Sequence, residues 1–163
     1  MKAVRYVKIF LVLTVGFWGL IGTFGNLAGM SDVYNEVLKV TSMASVPEGA
    51  GPPWRTSSPI VVWLGYTFIL LGKVVALVGG AWGGVLLLKH VNAPAADFNR
   101  AKSVAIAGCG AAFALMFFTF TVFGESVFFM FFDPLHSGAA ALAFRLAGSF
   151  ALVALFVALP DSD

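Results

Sequence analysis

Apolar positions along the chain gather into four long runs, and the polar positions fall almost entirely between them. The runs predict helical spans over 9–30, 60–88, 103–124 and 138–159. A bilayer crossing needs about 20 apolar residues, so each run is long enough. Lys2, Arg5 and Lys8 precede the first run as they would in a secretory signal. The run is longer than a signal core of roughly 7–15 residues and no A-x-A site follows it, which predicts an uncleaved first helix. The pattern predicts an all-α, four-helix transmembrane bundle built as a single integral membrane domain over residues 1–163.

The connections differ in character. Ser31 and Asp32 are good N-caps, and Val33, Tyr34, Val37, Leu38 and Thr41 then recur at helical spacing opposite Asp32, Asn35, Glu36 and Lys39. This predicts an interfacial amphipathic helix after the first span, lying on the membrane surface. The stretch VPEGAGPPWRTSSP that follows is turn chemistry, with Trp54 and Arg55 suited to the headgroup level and Trp63 to the same interface. The second connection is short. Past Glu125, residues 126–137 either continue the third helix or form an aromatic segment in the interface, and periodicity does not separate these.

In the second span Gly79 pairs with Gly83 and Gly80 with Gly84 at the small-xxx-small spacing that permits close helix contact. The third span opens with VAIAGCGAAFA, small residues able to approach that glycine face.

Composition sharpens the class. Hydrophobic residues make up 60% of the chain and charged residues 11%, against about 25% charged in soluble domains. A net charge of +2 without a basic tract excludes a nucleic-acid partner and leaves the lipid bilayer as the medium. Lys2, Arg5, Lys8, Lys89, Arg100 and Lys102 flank one side of the spans, and only Lys39 and Arg55 the other. The positive-inside rule then puts both termini in the cytoplasm. Cys109 stands alone, which excludes an internal disulfide and a cysteine metal cluster.

Candidate chemistry is sparse. His90 and His136 fall at opposite ends of their helices, about 30 Å apart, too far to share a haem iron. Ser103, Ser126 and Ser149 have no histidine at matching depth, and no HExxH, phosphate loop or dinucleotide fingerprint is present. No enzyme activity, catalytic residue, metal or cofactor is expected. What remains is a polar cluster of ionisable residues in apolar runs, Glu125, Arg145 and Lys73, together with Asn26 near the end of the first span. Glu125 and Arg145 are expected to pair between consecutive helices, either as a structural ion pair or as a pocket that binds an anionic substrate, lipid headgroup or quinone-like ligand, or relays protons. Two classes stay open. The first, which the absence of catalytic sets favours, is a structural or accessory subunit docked on a larger membrane complex or its own copies, and the alternative is a small-molecule, lipid or ion binding protein or transporter.

The residues Asn26, Tyr34-Asn35, Val40, Ser42-Met43, Trp54-Arg55, Gly124-Glu125, Met130 and Phe144-Arg145, in that order, resemble the bacterial predicted small integral membrane protein family, a domain of unknown function. The resemblance covers nearly the whole chain and implies a four-helix inner-membrane protein, with no activity, cofactor or substrate attached. It carries over Glu125 and Arg145 as a site. The sequence departs from the family pattern where tryptophans are usual, at Phe128 to Phe132, and near Lys73, where an acidic residue is usual.

Overall fold

The structure is a computed structural model that describes residues 2–162. Asp163, expected on the cytoplasmic side, lies outside the described residues. The helices are α1 (Lys2–Ala28), α2 (Met30–Thr41), α3 (Pro59–Lys89), α4 (Ala95–Ala101), α5 (Ser103–Met116) and α6 (Pro134–Ala158). A π-helical segment, Phe117–Val127, continues α5, and a 3₁₀ turn, Met130–Phe132, leads into α6. Four helical stretches are long and apolar enough to cross a bilayer: Lys2–Ala28, Pro59–Lys89, Ala95–Val127 and Pro134–Ala158.

The outside of the bundle is apolar, as a lipid solvent demands. Phe10, Phe17 and Phe24 project from one side of α1, while Ile9, Val12, Val15 and Gly19 on the other are buried. α6 repeats the arrangement, burying Ala140, Ala143, Ala147 and Phe150 and exposing Leu142, Leu152 and Leu155. Cys109 is fully enclosed in the core beside Ala112, Met116 and Ala143, where it acts as a small packing residue.

α3 is the central helix, and its glycines explain why. Neighbouring residues on a helix point about 100° apart, so two glycine pairs offset by one residue clear two faces. Gly80 lies against Gly16 and Gly84 against Leu13 of α1, while Gly79 lies against Gly108 and Gly83 against Ala105 of α5. A Cβ on Gly16 would come within 2.7 Å of Ala81 N, and one on Gly83 within 2.6 Å of Ala105 Cα. All four glycines are therefore used inside the chain, and none is left as a face for an outside partner.

α2 does not prolong α1. Asn26 meets Tyr66, whose hydroxyl donates to the Asn26 carbonyl at 3.1 Å, and Val37 meets Gly65. A straight helix would rise about 16 Å between residues 26 and 37, yet both contacts fall at one level of α3. The chain bends at Gly29, and α2 crosses the end of the bundle, its Tyr34 ring 4.9 Å from that of Trp63.

Residues 126–137 resolve the alternative that periodicity left open. The π winding ends at Val127, Phe129 takes a left-handed φ of 53°, and Asp133 caps α6 by accepting from the backbone N–H groups of Leu135 and His136. The aromatic stretch thus turns across the bundle end instead of extending the helix.

Candidate functional site

At the α4 end the helices are drawn together by buried charge. Lys8 is 1% exposed, Lys102 2% and Asp161 6%. Lys8 Nζ donates to Asp161 Oδ2 at 2.7 Å, and Lys102 pairs with the same carboxylate. Asn99 brackets the tail backbone, donating from Nδ2 to Asp161 O at 2.9 Å and accepting from Asp161 N at 3.0 Å. Burial works to raise the Asp161 carboxyl, but the Lys102 and Lys8 ammonium groups outweigh it and hold the group below the usual carboxylate range. Arg5 donates to Val91 O and Ala93 O and lies over the Phe98 ring. The polar atoms of this knot are used among themselves, which marks it as a structural clamp. Sequence reading counted these residues only as flanking charge; the sign that some are buried is Lys8 directly abutting the first apolar run.

At the α2 end the helices part. α3 and α5 touch backbone to backbone at Gly79 and Gly108, but about two turns on Gly72 faces the Leu115 and Met116 side chains, and beyond that Phe68 meets Phe118 with ring centroids 6.1 Å apart. Small residues give way to bulky ones, the helices splay, and a cavity of about 600 Å³ opens between α3, the π segment and α2. That size accommodates a drug-sized or larger apolar ligand.

Its walls are aliphatic and aromatic, chiefly Leu64, Phe68, Ile69, Phe118, Phe120 and Phe123. The polar groups enter from three directions. Lys73 rises from α3 with its stem over Gly22, where a Cβ would come within 2.9 Å of Lys73 Cδ, and its Nζ donates to Asn26 Oδ1 at 2.5 Å. This is snorkelling, and it brings the ammonium from mid-helix up to the level of α2. Asn26 itself is 7% exposed, and its Nδ2 has no hydrogen-bond partner. Lys73 makes no ion pair among the described residues. Thr119 on the π segment also lines the cavity and has an unpartnered Oγ1.

At the mouth stand Asp32, Glu36 and His136. His136 Nε2 lies 2.9 Å from Glu36 Oε2 and ties α2 to α6, while Lys39 Nζ donates to Glu36 Oε1 at 2.7 Å. The hydrogen bond from Lys39, and after it that with His136, hold the Glu36 carboxyl below its usual range. Trp54 closes over the end of the π segment, its Nε1 donating to Val127 O at 3.0 Å. Trp54, Arg55 and Trp63 are exposed, all at this end of the bundle.

A family model, that of a predicted small integral membrane protein, matches residues 4–160 of the chain. The chain belongs to this family. The match takes in the cavity, nearly all of the four helices long and apolar enough to cross a bilayer, and Lys8, Asn99 and Lys102 of the clamp, while Asp161 lies one residue beyond it. No curated protein and no solved structure matches the chain.

The four polar residues of the expected cluster separate into two groups in this small integral membrane protein. Asn26 and Lys73 meet at the cavity floor. Glu125 and Arg145 do not pair: neither enters an ion pair among the described residues. Arg145 sits on the exposed face of α6, its Nε donating to Ala141 O at 3.3 Å. It lies about 16 Å down the helix from Pro134 at 1.5 Å per residue, whereas Glu125 is within the last turn of the π segment. The expected pair fails on depth and on facing. Sequence reading missed Asp32, Glu36, His136 and Thr119 as cavity groups; the pattern of α2 already put Asp32 and Glu36 one turn apart on a single face.

Proposed function

We propose that the protein binds an amphipathic, lipid-like molecule that enters sideways from the bilayer, its polar end held by Lys73 and Asn26 and its apolar part among the phenylalanines of α3 and the π segment. One observation carries this reading. A buried side-chain amide with unused donors sits beside a lysine that has no ion-pair partner among the described residues, and both face a cavity whose walls are mostly apolar. Buried donors of this kind are normally satisfied, and an intramembrane cation is normally compensated. A ligand with an acceptor or anionic group supplies both. We read a binding protein or transporter rather than an enzyme, since His136 is engaged by Glu36 and no serine or cysteine lines the cavity.

We place the α4 end, with Lys2, Arg5, Lys8, Lys89, Arg100 and Lys102, in the cytoplasm of a bacterium, and α2 at the outer face of its inner membrane. Purification in mild detergent followed by lipid extraction tests the binding reading. The native protein should retain a lipid-like molecule that Lys73→Met and Asn26→Leu both lose. Equal retention by all three, or none by the native protein, would overturn it.

Arg145 favours a second role as a subunit. A guanidinium on an outward helix face in mid-span, without an ion pair among the described residues, is the position at which a partner helix bearing a carboxylate would dock. If it does, Arg145→Leu should dissociate a complex seen by native mass analysis; a native protein that is monomeric throughout would end this reading.

A further inference from the structure

We infer that the cavity selects a zwitterionic amine–phosphate headgroup, with the phosphate held at Lys73 and Asn26 and the amine at Asp32. The inference rests on the amphiphile reading above and adds the chemical class of the head. It starts from donors and acceptors. Lys73 Nζ has three N–H donors and gives one to Asn26 Oδ1, and the buried Asn26 Nδ2 gives neither of its own. This corner offers only donors and a positive charge to an incoming group, which suits phosphate oxygens.

The mouth has the opposite character. Asp32 and Glu36 lie one turn apart on α2 and both line the cavity. Glu36 is already engaged by Lys39 and His136. Asp32 makes no ion pair among the described residues and is exposed at the rim, so it is the carboxylate with capacity for a cation. The site is therefore a dipole, positive at the floor and negative at the mouth. A headgroup carrying only negative charge would satisfy Lys73 but bring its outer part against Asp32. An ethanolamine phosphate satisfies both poles, and its acyl chains follow the Phe68 and Phe118 wall into the bilayer.

The test uses delipidated full-length protein in detergent, titrated with phosphatidylethanolamine or phosphatidylglycerol of identical acyl chains and read by native mass spectrometry. The native protein should prefer the ethanolamine lipid by about tenfold, the ratio expected from one charge-assisted contact. Asp32→Asn, an exposed change that leaves the fold intact, should abolish the preference without weakening phosphatidylglycerol. Lys73→Met should weaken both lipids. Soluble glycerophosphoethanolamine should compete poorly, because it lacks the chains; equal competition would overturn a lipid source for the headgroup. Equal affinity for the two lipids, or tighter phosphatidylglycerol, would overturn the zwitterion and leave the amphiphile reading standing. Binding of neither lipid would overturn both.

Discussion

Gly79 of α3 and Gly108 of α5 face each other so closely that a Cβ on either would overlap the other's backbone. No side chain separates the two helices there, so nothing flexible can yield to added bulk. Overfilling a packed interior costs about 1–3 kcal/mol, occasionally more, and contact between backbones belongs at the upper end. Gly79→Val or Gly108→Val should lower the unfolding temperature in detergent clearly. Gly110→Val, at a position where a Cβ meets nothing within 4 Å, should not. Equal stability of the three variants would show that the close approach is not needed.

The clamp at the other end depends on one carboxylate facing two ammonium groups. Removing the charge of Asp161 leaves Lys8 and Lys102 buried without it, and breaking a buried pair costs about 3–5 kcal/mol. Asp161→Asn should therefore destabilise the bundle by that order. The pH dependence follows from the sign of the shift. The folded carboxyl lies below its ordinary 3.8, so its contribution is complete above that value and disappears as the pH falls through the folded pKa. Denaturation midpoints of the native protein should drop in that acid range, and those of Asp161→Asn should lose this component. An identical acid limb in both proteins would remove Asp161 from the account.

Much of this architecture was legible because it depends on short-range pattern. Run length gives the spans in a solvent that forbids unpaired backbone, and spacing of four marks Gly79 with Gly83 and Gly80 with Gly84 as contact positions. The change from an apolar run to the helical spacing of residues 31–41 separates two helices in the sequence, but nothing in it marks Gly29 as the bend, since the first run reads through to Met30. Relations across the bundle were not legible. Lys8 and Asp161 are at opposite ends of the chain, and only assembly shows that they share an enclosed space. Glu125 and Arg145 looked like partners because short connections make antiparallel neighbours. The π winding of Phe117–Val127 changes which side Glu125 faces, and no period of 3.6 anticipates it. The cavity is a consequence of where small residues stop on α5, and its meaning needs the unpaired Asn26 amide, which a sequence does not display.

Because Glu125 and Arg145 do not touch, their substitution effects should add. Groups without shared partners combine within about 0.3–0.5 kcal/mol. Glu125→Gln, Arg145→Met and the double variant, compared by thermal unfolding in detergent, should show no coupling beyond that margin. A double variant markedly more stable than the sum of its parents would restore the direct pair.

Glu36 holds α2 across the cavity mouth through His136, and this link should set how firmly the helix is seated. α2 reaches α3 mainly through Val37 at Gly65 and Tyr34 at Trp63, so Glu36 supplies its tie to α6. Glu36→Gln should loosen α2 and leave the helix core intact. Amide hydrogen exchange would then speed up across residues 30–41 and stay unchanged in the Gly79–Gly108 region. The native protein should behave similarly in acid. The hydrogen bond from Lys39, then that with His136, place the folded Glu36 carboxyl below its ordinary 4.5. The tie is therefore complete above that value and weakens as the pH falls through the folded pKa, when the carboxylate takes up a proton. Exchange in residues 30–41 should rise on acidification in the native protein, after correction for the intrinsic rate, and should be independent of this step in Glu36→Gln. If the native and variant proteins exchange alike at neutral pH, the Glu36–His136 contact is not what seats α2.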